Sequence, residues 1–434
     1  MQGKPIVERV LTKRHALLFE DKVRRPFAFA RDIYRYGKFH ELVSFTVWEL
    51  FHRLGLFPQN KYLKFSNTAL SLKNSRLDDP QFDKQLADLF CSRGLNIVRV
   101  HHKWKLLFIN NNKEILGCLY PHDRDLYRSV DGGKSITFVK TFPETIKSIF
   151  ISSQNTIFVC VRGAVYKSSD NAGTFTKSLE LGSSESFFRH NNGMAETPGK
   201  TLIIAEYGNI LDEKGWRKLA YLYFSSDEGE NWNRSDFLIK RGANKHVHLI
   251  KYSKLLNRLF VTDGDNKKRL WVSDSLNSSD VNPGWHSLTK FHLQMGGYTS
   301  AVESDQKILF GTDYQGGTNF IVATRNGKKF DKSVVPDPYR RSPIDNMVQR
   351  KSEKGNEIWA NLPFSVADTK CLLMYTDDGG LTWNKVFEYR MATHKVWLIS
   401  AANEGADDVY FSIENLSTNE RVVYRITDRQ CGSR

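Results

Sequence analysis

Apolar and polar positions along this chain alternate in short runs. Stretches such as Tyr221-Leu222-Tyr223-Phe224 and Leu372-Leu373-Met374-Tyr375 are rich in aromatic and aliphatic residues and end in Ser or Thr, Asp and Gly. Runs of this length, closed by turn-forming residues, predict β-strands joined by hairpins. Three more strand-like runs, Lys395–Ala402, Asp408–Glu414 and Arg421–Thr427, lie near the C-terminus. Residues 1–92 read differently. Lys22-Val23-Arg24-Arg25-Pro26 opens a basic, aromatic stretch, and Pro26 suits a first helical turn. From Phe39 to Leu54 apolar residues recur at spacings of three and four, which predicts a helix ended by Gly55 and Pro58. A further helix is expected from Asp79 to Phe90. The 39–54 helix is apolar nearly all round, which favours burial against protein as a cap. The alternative is an element of residues 22–57 lying on an anionic membrane surface.

The strand runs lead into a recurring turn. Ser225-x-Asp227-x-Gly229-x-Asn231-Trp232 returns as Thr376-x-Asp378-x-Gly380-x-Thr382-Trp383. Ser168-x-Asp170-x-Ala172-x-Thr174-Phe175 and Ser129-x-Asp131-x-Gly133-x-Ser135 are weaker copies. Thr324-x-Asn326 with Phe330, and Trp271-Val272-Ser273-Asp274, are decayed ones. The first positions, 129, 168, 225, 273, 324 and 376, stand 39 to 57 residues apart. That spacing suits one four-stranded blade of about 40 to 50 residues per repeat. Asp can accept backbone N–H bonds within such a turn and Gly supplies a positive φ. Asp131, Asp170, Asp227 and Asp378 are therefore expected to be structural, with Trp232 and Trp383 tucked into the blade cores.

On these motifs residues 93–428 resemble the Asp-box (BNR repeat) β-propellers, a sialidase-like superfamily of carbohydrate-active enzymes. The resemblance implies an all-β propeller of six or seven four-stranded blades, and seven fits when the three C-terminal runs are counted. A strand from before residue 93 is expected to close the ring, and residues 429–434 to form a disordered tail. The sialidase catalytic signature is missing. There is no Arg-Ile-Pro motif, and the adjacent Glu206-Tyr207 would point to opposite faces of a strand.

Charge narrows the ligand. Lys plus Arg number 63 against 48 Asp plus Glu, a net charge of +15. Such a surface attracts anions. An acidic oligo- or polysaccharide fits this propeller class, whereas no zinc-finger or RNA-recognition signature supports nucleic acid. The five cysteines are scattered and none forms Cys-x-x-Cys. They point to a reducing setting. No apolar leader with a cleavage site is visible, so the expected location is cytoplasmic or peripheral on the cytoplasmic membrane face, with secretion requiring a leader already removed.

Polar residues on the innermost strands are the candidates for chemistry. In Lys245-His246-Val247-His248-Leu249-Ile250 the two histidines share a face. They could serve as acid–base groups or hold a divalent metal. Asp265 and Asp313 end strands in consecutive repeats, and Glu206 with Tyr207 does so one repeat earlier. Arg189, His190 and Gln294 are further inner-strand candidates for binding, and Arg340 with Arg341 for anion recognition. A hydrolase would use two carboxylates, Glu206 with Asp265 or Asp313. A lyase would use His246 or His248 as base and Tyr207 as acid. A non-catalytic glycan-binding or scaffolding propeller is the alternative. A membrane-associated glycosyltransferase of capsule or exopolysaccharide synthesis is a third reading.

Overall fold

The structure, a computed structural model, describes Tyr34 and residues 39–428, apart from 74–75, 213–214, 244, 264–268, 275–283, 289–296 and 367–368. Strands predominate and form seven four-stranded antiparallel blades around an axis. Blade 1 runs outward from Trp104–Ile109 through Ile115–Leu119 and Asp125–Ser129 to Thr137–Thr141, and blade 2 from Ile146–Ile151 through Ile157–Val161 and Ala164–Ser168 to Thr176–Glu180. Blade 3 comprises Met194–Glu196, Leu202–Ala205, Leu222–Ser225 and Asn233–Ser235, with a small inserted hairpin. Blade 4 holds Val247–Ser253, Arg258–Asp263, Leu270–Ser273 and His286–Ser287. Blade 5 spans Tyr298–Glu303 to Asp331–Val334, and blade 6 spans Asn346–Ser352 to Thr382–Tyr389.

Blade 7 joins the two ends of the propeller. His394–Leu398, Val409–Asn415 and Glu420–Asp428 come from the C-terminal side, and Leu95–Val100 pairs antiparallel with Glu420–Asp428 as the outermost strand. The closing strand thus follows residue 93, where the sequence reading placed it before. Ser400–Ala401 also pairs parallel with blade 1, at Leu107 and Phe108. Seven blades replace the alternative of six.

Position in the blade explains the run pattern. Inner and middle strands are covered on both faces by neighbouring blades, so Ile157–Val161 and Cys371–Thr376 are buried throughout. The outermost Thr137–Thr141 and Thr176–Glu180 are partly exposed and polar. Cys118, Cys160 and Cys371 sit in these walls as free thiols whose pKa burial pushes up to about 12. They behave as small apolar side chains.

The repeated turns share one hydrogen-bond pattern. The Ser225 hydroxyl donates to Asp227 at 2.8 Å and accepts from the Gly229 amide at 2.8 Å, while Asp227 accepts from the Asn231 amide at 3.0 Å. Ser129/Asp131, Ser168/Asp170 and Thr376/Asp378 repeat this arrangement. The left-handed position is Gly133, Gly229 or Gly380 in three turns and Ala172, at φ 71°, in the fourth. The aromatic that follows reaches further than expected. Trp232 donates from Nε1 to Ser178 Oγ at 2.8 Å and packs edge-on against Phe158, both in blade 2. Trp383 is fully buried beside Leu309 and Ile321 of blade 5. These side chains tie neighbouring blades together.

Part of the N-terminal region packs on the outside of the ring. Helix α1, Phe39–Arg53, stacks Trp48 on Phe57 and sets it edge-on to Phe320. Lys64–Phe65 and Leu70–Ser71 add parallel to the outer strand of blade 6. Helix α2, Pro80–Cys91, is capped by Asp79 and buries Phe82, Leu86 and Phe90, with Phe90 stacked on Trp359. The helix suggested by Pro26 and the tail 429–434 lie outside the described residues. Among the described residues no helix is long and apolar enough to cross a membrane.

Candidate functional site

Antiparallel pairing brings the start of each inner strand and the end of its neighbour to one side of the ring. Tyr207 follows Leu202–Ala205, His246 precedes Val247–Ser253, Asp313 follows Ile308–Thr312 and Asp345 precedes Asn346–Ser352. Four blades therefore deliver polar side chains to the same end of the axis.

His246 and His248 share a face, as the two-residue spacing requires. They are 0% and 1% exposed, and their Nε2 atoms lie 2.9 Å apart. His246 Nδ1 lies 2.7 Å from the Gly208 carbonyl, an acceptor only, so it carries the proton. Its Nε2 then accepts from His248 Nε2–H. The other ring nitrogen of His248, Nδ1, lies 3.8 Å from Asp313 Oδ2. Tyr207 lies on the pair, its ring 4.0 Å from His246 and 6.0 Å from His248 between centroids. Its hydroxyl accepts from Asn209 at 3.0 Å. The Arg189 guanidinium stands 5.7 Å from the Tyr207 ring and pairs with Asp345 at 3.0 Å. Burial works against the Arg189 charge, but Asp345, with Tyr207 and Asp313 around it, holds its pKa above the ordinary value.

Glu206 goes elsewhere. It is 0% exposed, accepts from the Tyr223 hydroxyl at 2.6 Å and faces the Gly182 amide at 3.2 Å. Burial raises its pKa, and the hydrogen bonds from Ser186, Tyr223 and Gly182 only partly oppose this. Strand alternation thus separates it from Tyr207, and the structure does not join it to Asp313 in a facing carboxylate pair.

Arg189 and His190 do not belong to an inner strand. They start a turn, 188–193, that crosses the channel. His190 accepts from the Ile149 amide at 3.4 Å and donates from Nε2 to the Leu107 carbonyl at 3.0 Å. Burial pushes its pKa down to about 4, so both nitrogens are committed in a neutral ring. Asn191 reaches Asn346 and the Met347 carbonyl, each at 3.0 Å, and Asn192 contacts the Thr299 carbonyl at 3.5 Å. A Cβ on Gly193 would lie 2.2 Å from the Arg189 nitrogen, so only glycine closes this turn. The Asn192 carbonyl also accepts from the Ile250 amide at 2.8 Å, so the turn bonds to blades 1, 2, 4, 5 and 6 and plugs the axis.

The arginine pair is also placed differently from a solvated loop. Arg340 is 3% exposed, pairs with buried Glu49 of α1 and with Asp337 at 3.2 Å, and donates to Thr318 at 2.7 Å. Arg341 reaches Glu49 at 2.9 Å. Burial alone would raise the Glu49 pKa, but the two guanidinium groups hold it below the ordinary value. These arginines anchor the N-terminal helix, because a buried carboxylate needs paired charge. Asp265 and Gln294 lie outside the described residues. Among the described residues no three His, Cys, Asp or Glu side chains converge as a metal site, and metal binding by the histidines would require their Nε2–Nε2 contact to open.

On the other side of the plug the channel widens into a cavity of about 850 Å³. Its lining includes Lys251, Glu303, Lys351 and Glu404. The sequence reading passed over these residues, although Lys251 interrupts the otherwise apolar run Leu249-Ile250-Lys251-Tyr252 of an inner strand.

Comparison with solved structures finds the propeller fold at low identity. A streptogramin B lyase structure has a TM-score of 0.51 at 13% identity, covering 77% of this chain and 98% of that one. Virginiamycin B lyase from Staphylococcus aureus gives 0.49 at 12% identity, covering 77% and 98%. A chain of a mitotic checkpoint complex gives 0.49 at 11% identity, covering 82% and 99%. At these identities the likeness concerns the fold alone. No protein-family model matches the sequence, and no curated protein matches it.

Proposed function

We propose that this propeller is a carbohydrate-active enzyme of the Asp-box type, acting on an acidic, uronate-bearing glycan by elimination. The observation that carries the reading is the contiguous line Asp313–His248–His246–Tyr207–Arg189, drawn from separate blades to one end of the axis. It contains an imidazole beside a carboxylate, a phenol and a cation. A hydrolase needs two carboxylates flanking the scissile bond. Glu206, bonded to Tyr223 and Gly182, does not supply the second one, so the lyase form of the function is favoured.

In this mechanism His248 Nδ1 removes the proton from the carbon next to the uronate carboxylate, and Asp313 stabilises the resulting imidazolium. The C–O bond to the leaving sugar breaks as the new C=C bond forms, and the Tyr207 hydroxyl gives its proton to the leaving oxygen. Arg189 faces the substrate carboxylate. The net charge of +15 supports an anionic substrate. The test is to incubate the full chain with a panel of uronate polysaccharides, following reducing ends and ultraviolet absorbance together. Elimination produces both signals; reducing ends without absorbance would sink the lyase in favour of hydrolysis.

One observation favours a non-catalytic glycan-binding propeller: the imidazoles are 0% and 1% exposed beneath Tyr207. Under that reading the same panel gives binding, with neither signal.

A further inference from the structure

The plugged axis leaves a compartment that the proposed chemistry does not use. The 850 Å³ cavity lies on the far side of the 188–193 turn, between the C-terminal halves of the inner strands. Its volume is that of a site for a small organic molecule. Its two ends differ in character. The floor, against the plug, is largely apolar, with Ile149, Met194, Ala301, Met347 and Ala401, while Arg189 and Asn191 of the plug also line the cavity. The mouth is charged, with Lys254, Lys351 and Glu404 exposed around it.

Among the described residues, charge pairing leaves two cations of the lining without a salt bridge, the exposed Lys351 at the mouth and Lys251. Lys254 bonds to Glu404, and Lys200 bonds to Ser153 at 2.5 Å and lies 3.7 Å from Glu196. Glu303 is held by the Ser253 hydroxyl and the Lys254 amide, and Asp305 by Asn356. Lys251 stands deeper, between floor and mouth, with no carboxylate within 4.0 Å among the described residues. Burial pushes its pKa below the ordinary lysine value, Lys254 adds to this, and the carboxylates of Glu303 and Glu404 oppose it only in part.

We propose that this cavity binds a small amphipathic organic anion, its apolar body on the floor and its carboxylate, sulfonate or phosphate paired with Lys251. Such a ligand meets both demands of the site. It covers the apolar floor, and it supplies a direct counter-charge, where Glu303 and Glu404 act on Lys251 only from beyond 4.0 Å. The plug lies between this compartment and the His246–His248 end and its Arg189 lines the cavity, so the Lys251 site is read by binding and not by turnover.

The probe is 8-anilinonaphthalene-1-sulfonate, titrated by fluorescence against the full chain. Saturable binding at one site per chain is expected. Lys251→Met should weaken it about tenfold to a hundredfold, the effect of losing one charged hydrogen bond of about 1.5–3 kcal/mol. Lys251→Arg should retain it, and Ala402→Trp, which fills the cavity from the wall, should abolish it. Unchanged affinity in Lys251→Met, or saturable binding that survives Ala402→Trp, would overturn the proposal and place the probe on the exposed apolar residues of α1, such as Leu50 and Phe51. Polysaccharide turnover, read separately, is expected to be unaffected by Lys251→Met.

Discussion

The rim turns and the axis of this propeller are held by opposite kinds of bond. In each rim turn the hydroxyl, carboxylate and amides that bond together lie within four residues of one another. At the axis Arg189 pairs with Asp345 across 156 positions, and Asn191 reaches Asn346 across 155. A rim turn forms from its own residues, so it can be copied from blade to blade and can tolerate decay, as at Ala172. The axial arrangement exists only after the ring has closed. Function is therefore expected to reside where no single blade carries the whole arrangement, and damage there should spread further than damage at the rim.

The largest expected effect tests that difference at the reacting end. His248→Ala should lower elimination about 10²- to 10⁴-fold, the usual weight of a general base, with anilinonaphthalene sulfonate binding unchanged. A smaller loss would move the chemistry off the histidine pair. Next comes the plug. Gly193→Val places side-chain atoms against the Arg189 backbone and should cost about 3 kcal/mol in thermal or denaturant unfolding, weakening both compartments together. Loss confined to one end would show that the plug does not couple them. At the rim, Asp378→Ala removes a capping carboxylate and should cost about 1 kcal/mol without changing turnover or probe binding. The smallest effect should have the opposite sign. Ala172→Gly relieves a left-handed alanine at φ 71° and should stabilise by up to about 1 kcal/mol.

Acid and base separate the two regions as well. Glu206 has a raised pKa, so the folded state holds its proton more tightly than the unfolded chain does. Its contribution is full below the ordinary carboxylate pKa and is lost as pH rises through the folded value. The rim aspartates behave in reverse. The Ser135 hydroxyl and amide hold the Asp131 carboxyl well below the usual range, and the Thr174 amide does the same for Asp170. Their contribution is present above the ordinary carboxylate pKa and is lost as pH falls. Glu206→Gln should therefore flatten the decline in stability above about pH 4.5, where a free carboxyl begins to ionise, and leave the acid side unchanged. Melting temperatures measured across pH would decide it, and an altered acid limb would contradict this assignment.

Much of this was legible in the chain. The recurring turn gave the propeller and its spacing, and the same-face pairing of His246 with His248 follows from strand periodicity alone. Periodicity likewise separated Glu206 from Tyr207. Other features were not legible, for identifiable reasons. Arg189 and His190 read as strand residues, yet they form a turn whose partners lie in five other blades. Arg340 and Arg341 read as candidates for anion recognition, but they pair with Glu49, nearly 300 positions away. Trp232 and Trp383 pack across to the preceding blade, a choice that turn chemistry does not encode.

The sequence by itself determined the repeating unit, because a turn closed within four residues and a strand of period two are set by local chemistry. The tertiary structure alone decided the seventh blade's closure by Leu95–Val100, the plug and the placing of Lys251 in the cavity wall. Each of those depends on which distant backbone amide, carbonyl or carboxylate arrives nearby once the ring is complete, and no local pattern records that arrival.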